Sequence, residues 1–397
     1  MAFLTGYRMI DVGGIGPGPF CAQLLGDLGF DVIKIGEVSK GAGRRGGREL
    51  KPPMMFHAPT PDAKSFGLRN ARGIGLDLKT EEGHEVFRRL VQKADVVQEG
   101  FRPGVADRLG VGYGAAKAIK PDIIYASISG YGQTGPYRDR VGHDVNYLSV
   151  AGFIHMNSRS PCRPVIPGSL VADFASGAMS AVIHILAALV RRQQTGQGAY
   201  ADVAMADAVF ELNSMPIGGY LSSGLEPHGS GGTFSGFWPW YDIYETKDGR
   251  YVSIGAAEPW FYDALCDTLG RADLKDQQWS QERREQTKRE FTELFKSKTR
   301  DEWAAIFEGV DVCFSTVNTI SEAVNDPQMR ARRMVMEMAH PVYGKALQMG
   351  SMFKLNDTPL EARRWMLNPG EDTDEILEEH GYTGAEIEAL HSKRVVT

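Results

Sequence analysis

The chain has 397 residues, 42% of them hydrophobic and 24% charged, with a formal net charge of −6. That length and balance point to two or three domains and a core large enough to fold without staples. The acidic surplus, with no long Lys/Arg run to offset it, excludes a general nucleic-acid binder. The densest basic stretch, Arg44, Arg45 and Arg48 in a Gly-rich segment, is suited only to a few phosphates. Cys21, Cys162, Cys266 and Cys313 have no paired spacing and read as reduced thiols, not as a disulfide framework or a zinc site. The N-terminus lacks a charged region followed by an apolar one. The longest apolar stretch, 178–190, is interrupted by Ser180 and His184 and reads as too short to span a bilayer. The expectation is a cytoplasmic protein with no membrane, nucleic-acid or metal partner.

In chain order, Tyr7 to Val12 is predicted as a strand, followed by a Gly/Pro turn and a helix over 20–28. Asp31 to Ile35 and Ile74 to Leu78 are predicted as further strands. Thr80 then has the marks of a helix N-cap, with Glu81 and Glu82 in the first turn and Val86, Phe87, Leu90 and Val91 on one face. Strands follow at 95–97 and 122–129. A long helix is expected from Asp173 to Arg192, stopped at Gly196 or Gly198, and another strand at 200–205. This alternation predicts an α/β fold with a Rossmann-like large domain and a mostly parallel sheet. Residues 1–205 form that domain and 206–224 a linker. A smaller α+β domain occupies 225–330, with an Asp248-Gly249 hairpin turn, and 331–397 is a helical, polar tail.

Asp11 to Glu37 invites a dinucleotide-binding reading, since glycines let a helix N-terminus approach a pyrophosphate. The spacing fails: after Gly14 and Gly16 the third glycine would fall at Pro19, and after Gly16 and Gly18 at Cys21. A tight strand-to-helix turn explains the glycines better than an oxidoreductase does.

The run GPGPFCAQLLGDLGFDVIKIG, then RGIGLDLKTEEG, ADVVQEGFRPGVADRLGVGY, IKPDIIYASISGYGQTGPY and HILAALVRRQQTGQGAYADVAM together resemble the class III CoA-transferase family. The stretches 142–149 (GHDVNYLS), 252–262 (VSIGAAEPWFY) and 307–317 (FEGVDVCFSTV) resemble its α-methylacyl-CoA racemase branch. The resemblance implies an interlocked homodimer whose C-terminal tail returns to the large domain. It also implies an acyl-CoA substrate, with CoA entering as part of that substrate and no further cofactor.

Inverting a carbon next to a thioester carbonyl needs a proton-transfer group on each face, and hydrogen-bond donors for the enolate formed between them. By resemblance the pair is His143 and Asp173, with Glu258 orienting the histidine. Histidine titrates near neutrality. Asp173, at a predicted helix start, sits where the dipole favours a carboxylate. For the CoA moiety the resemblance points first to Arg102 in GFRPG, then to Lys34, Arg69 and Arg72. Gly16, Gly104, Asp144 and Tyr147 are expected around the site, and Gly229 to Gly232 as a loop over the thioester or a plain linker. Departures from the family pattern are Gly36 inserted before Glu37, Ala71 in a basic stretch, Ser169 in place of an asparagine, and Thr316 in place of a proline. Bulky aromatics at 237–240 suggest a differently shaped acyl pocket. The leading expectation is a 2-methylacyl-CoA racemase. The alternatives are a CoA-transferase, with Asp173 attacking the thioester to form an anhydride and then taking CoA, and a catalytically silent CoA-binding protein.

Overall fold

A computed structural model describes residues 3–38, 44–45, 48–49, 69–158, 163–340, 344–355, 363–366 and 370–397. Cys162 and the side chains of Arg44, Arg45 and Arg48 lie outside the described residues. Six parallel strands form the main sheet: β1 (Arg8–Val12), β2 (Asp31–Gly36), β3 (Ala71–Gly75), β4 (Val96–Glu99), β5 (Ile124–Ser129) and β6 (Ala199–Ala204). Their spatial order is β3-β2-β1-β4-β5-β6. The order reverses between β1 and β4. In an open parallel sheet that reversal leaves a crevice at the carboxyl ends of the strands, the usual place for a ligand.

The helices packed along this sheet up to residue 212 are α1 (Pro17–Leu28), α2 (Glu81–Gln92), α3 (Val105–Arg108), α4 (Tyr113–Ile119), α5 (Asp144–Val150), α6 (Ala172–Thr195) and α7 (Met205–Leu212), and the tail adds Thr373–Glu379 and Gly384–Ser392. The strands are short and apolar because both faces are covered. One face packs Ile10, Val12, Ile33, Ile35 and Val97 against Val86, Phe87, Leu90 and Val91 of α2. The other packs Met9, Val32, Val96 and Ile124 against Leu24 and Leu25 of α1 and Ala181 and Ile185 of α6. Each such fully buried aliphatic side chain contributes roughly 1.5–3 kcal/mol. Thr80 caps α2 by accepting from the Gly83 amide at 3.0 Å, and Gly196 closes α6 in the left-handed conformation.

The chain divides into two compact units, 1–151 with 168–212 and 331–397, and 152–167 with 213–330. The returning tail clasps β3: the Gly73 amide donates to Asp372 Oδ2 at 2.8 Å, Asp77 N–H to Val395 O, and Thr397 N–H to Gly75 O. In the second unit, 241–245, 251–255 and 314–316 form an antiparallel sheet, joined by the expected Asp248-Gly249 turn. Its core is aromatic, built on Trp240, Tyr244, Phe291, Phe295 and Trp303.

Several expectations are corrected. The third strand lies at 71–75 and not at 74–78, because it ends where it stops pairing with Gly36, and Leu76 and Asp77 turn toward the tail. Residues 206–224 are no linker but nearly all of α7 and a second helix, Ser214–Ser223. Residues 152–167 pack in the second unit, with Val165 N–H donating to Asn157 O. The tail is not wholly helical, since Val335–His340 and Gly344–Met349 form a hairpin. Trp238 and Trp240 are buried in the second unit's own core, so its packing accounts for them without an acyl pocket. Finally, α6 spans 24 residues and is long and apolar enough, by length and composition, to cross a membrane. It also carries the buried Ala181, Val182, Ile185 and Leu189 of the sheet core.

Candidate active site

The carboxyl ends of β1 and β4 open into two adjoining turns, 13–16 and 100–104. Gly100 lies against the backbone of Gly14, and the Phe101 ring lies 3.3 Å from where a Cβ on Gly13 would stand. Gly16, the N-cap of α1, has φ +72, and an added Cβ would meet Asp173 Oδ2 at 2.4 Å. The glycine is therefore required twice, once for its left-handed backbone and once because the Asp173 carboxyl group leans on its Cα. Gly177 repeats the device one turn further on, where a side chain would strike Pro17 and Met205.

Asp173 stands in the π-helical opening of α6, Ala172–Met179. Its own amide donates to Asp144 Oδ2 at 3.0 Å. Asp144 is buried at the first position of α5, and His143 is the N-cap of the same helix. The His143 amide donates to Asn146 Oδ1 at 3.0 Å, and its side chain is exposed. Tyr147, a turn further along α5, donates its hydroxyl to Gly142 O at 2.6 Å. Burial and the neighbouring Asp173 charge push that phenol up to about 12, which keeps it a donor.

At Asp173 burial dominates. It raises the carboxyl pKa to about 6, the negative charge of Asp144 adds to the rise, and a protonated His143 works against it. Desolvation and the like charge of Asp144 thus raise this carboxyl group without removing the carboxylate form that a helix start favours at neutral pH. The result is an acid–base group poised near neutrality, beside a histidine. Such a pair can move protons at a carbon held between them. Ser169, where the family pattern has an asparagine, is exposed, and the Asp173 backbone is held instead by Asp144.

The CoA candidates separate sharply. Arg102 is exposed on the 100–104 turn. Gly104, with φ +76, leaves room for the guanidiniums of Arg108, at 3.2 Å from its absent Cβ, and Arg138, at 3.7 Å. These two arginines were missed in the sequence. Arg108 closes the short helix that Gly104 caps, four residues after that glycine, and Arg138 comes from a distant loop with no local signal. Lys34 is paired with buried Asp11 at 2.5 Å. Arg69 makes a two-point contact with Asp27 at 2.9 and 2.6 Å and reaches Met349 O. Arg72 is held by Asp31 and Glu379. These three guanidinium and ammonium groups serve internal carboxylates, so the structure does not bring them to Arg102 as open phosphate ligands. Glu258 lies in the second unit as the exposed N-cap of Pro259–Thr268, beside Cys313. Gly229 of the glycine loop packs on the Ser158 backbone in that unit.

Residues 4–373 match the family model described as CoA-transferase family III. The chain is 32% identical to a mouse (Mus musculus) α-methylacyl-CoA racemase, over 99% of this chain and 97% of that one. It is equally, 32%, identical to the β subunit of a succinyl-CoA–L-malate CoA-transferase from Chloroflexus aurantiacus, over 99% and 98%. Among solved structures it superposes on a CaiB/BaiF family protein from Brucella suis with a TM-score of 0.77 at 28% identity, covering 96% of this chain and 99% of that one.

Proposed function

We propose, from the premise that this chain belongs to CoA-transferase family III, that it inverts the α-carbon of 2-methylacyl-CoA thioesters by two-base proton transfer. The observation that carries the reading is the half-buried Asp173 carboxyl, raised to about 6 within electrostatic reach of His143. One of the two removes the α-proton and the other returns a proton to the opposite face, so each must exchange roles when the reaction runs backward. A group titrating near 6 is basic enough to accept that proton and acidic enough to give it up at neutral pH. Arg102, exposed on the 100–104 turn, and Arg108, whose guanidinium lies over Gly104, are the groups that would meet the CoA phosphates, guanidinium being suited to bidentate phosphate contact; Arg138 beside Gly104 is paired with the exposed Asp139. The orienting role of Glu258 rests on the family resemblance.

A second reading, CoA transfer with Asp173 as nucleophile, is favoured by the equal identity to a transferase subunit. The two differ in what the aspartate must reach, the α-hydrogen or the carbonyl carbon. Incubating one epimer of a 2-methylacyl-CoA in deuterated water, with no acceptor acid, separates them. Racemisation predicts deuterium uptake and appearance of the other epimer, with His143→Ala and Asp173→Asn each lowering the rate by about 10²–10⁴-fold. CoA movement only after a free acid is added, without α-exchange, would sink the racemase reading.

A further inference from the structure

Glu99 closes β4 at the point where the sheet order reverses, and it is 4% exposed. Its Oε2 accepts the Phe101 amide at 2.6 Å. Ser127, its register partner on β5, donates to the same carboxyl group, and Tyr200 on β6 donates to Ser127 Oγ at 3.2 Å. A chain of hydrogen bonds thus runs across three strands and ends on the Phe101 amide of the 100–104 turn. Burial, reinforced by the charge of Asp107, lifts the Glu99 pKa to about 7. Buried carboxyl groups are rarely kept in such a place for packing alone, since an apolar residue fills it at no desolvation cost. The neighbouring positions of this sheet face, Ile10, Val12 and Val97, are in fact apolar.

The turn that Glu99 holds does two things. It carries Arg102, and it presses Gly100 and Phe101 against Gly13 and Gly14, in the turn that leads to Gly16 beneath Asp173. We propose that Glu99 is the positioning residue of the 100–104 turn: by fixing the Phe101 amide it presents Arg102 to the phosphates of the CoA moiety. The proposal rests on the CoA-thioester reading above and adds to it a residue outside the proton-transfer pair.

The test is titration of wild-type protein and variants with free CoA by calorimetry, alongside the α-exchange rate at saturating substrate. Glu99→Leu removes the acceptor and is expected to weaken CoA binding about tenfold, the effect of one charge-assisted hydrogen bond. The saturated exchange rate is expected to fall less than about threefold, because Asp173 and His143 are untouched. Glu99→Gln keeps an acceptor for the Phe101 amide and is expected to restore CoA binding to within about threefold of wild type. Should the leucine variant fail to fold, Glu99→Asp, which withdraws the carboxylate by one methylene, is expected to show the same weakened binding. Hydrogen exchange at the peptide containing Phe101 should then be faster. Unchanged CoA affinity in Glu99→Leu or Glu99→Asp, or a glutamine variant as weak as the leucine one, overturns the positioning role. A wild-type protein that binds no CoA overturns the parent reading and this proposal together, an outcome distinct from the other two.

Discussion

At Asp173 a helix start and a buried pocket make opposite demands on one carboxyl group, and the pocket wins. The folded group titrates at about 6 against an ordinary value of 3.8. Between these values the folded state holds a proton that the unfolded chain has released, so stability falls as pH rises through that window and stays lowered above it. Replacing the charge should therefore stabilise the protein while destroying activity. Asp173→Asn is expected to raise unfolding stability by about 1–2 kcal/mol at pH 8, after allowance for partial exposure, and by almost nothing at pH 4. Thermal denaturation at the two pH values measures it; an asparagine variant no more stable than wild type at pH 8 contradicts the assignment. In the active enzyme kcat/KM should drop roughly tenfold per pH unit below about 6, as the base form is lost. His143 and Asp173 stand out in the sequence through the motifs around them, and the structure brings both against Asp144, one as its chain neighbour and one through its amide. The role of Asp144 was not legible there, because its bond to the Asp173 amide joins two helices 29 positions apart.

Among the elements, the parallel strands and the helices α1, α2 and α6 were legible because local signals agreed: apolar runs, the Thr80 cap, the Gly196 stop. The π-helical opening of α6 was not, since Gly177 within it packs on Pro17 and Met205 from distant segments, a contact with no local sequence signal. The tail hairpin carried a period-two signal, with Met338 and His340 buried between exposed neighbours, that the surrounding polar residues obscured. Arg69 shows the same limit at the junction of α1 and β3. Basic residues read from sequence as phosphate ligands, yet this guanidinium is 3% exposed and gripped by Asp27 at the end of α1, which also accepts from Asn70 at 2.9 Å. Arg69→Met alone should destabilise the protein by about 3–5 kcal/mol, because it strands the Asp27 charge in the interior. Adding Asp27→Leu should recover most of that loss and leave CoA affinity within about threefold of wild type. Chemical denaturation and calorimetry check both halves; a double variant that folds but no longer binds CoA would return Arg69 to the binding site.

For the whole molecule, the apolar surface left uncovered is informative. Ile183 and Val190 on α6 are 67% and 56% exposed, and Phe210 and Leu212 on α7 are 55% and 54% exposed. Large apolar residues repeated on successive helices of a single chain mark a surface that something covers. Two occupants suit it, a second copy of the chain or a lipid bilayer, and α6 meets the length and composition of a membrane span. The buried side of α6 favours the first, since Ala181, Ile185 and Leu189 belong to the sheet core and would have to leave it to enter lipid. We therefore expect a homodimer in solution at micromolar concentration, its interface including the outer face of α6. Placing two like charges on that face, Ile183→Glu with Val190→Glu, should weaken association at least about tenfold, because each protomer would desolvate unpaired carboxylates at the interface. The core side chains of α6 are untouched by these changes, so far-ultraviolet dichroism should stay that of the folded chain. Sedimentation equilibrium reads the association, and flotation with phospholipid vesicles reads the rival. A wild-type chain that sediments as a monomer at every concentration, or one that floats with vesicles and loses that behaviour in the double variant, would assign this surface to something other than its own copy.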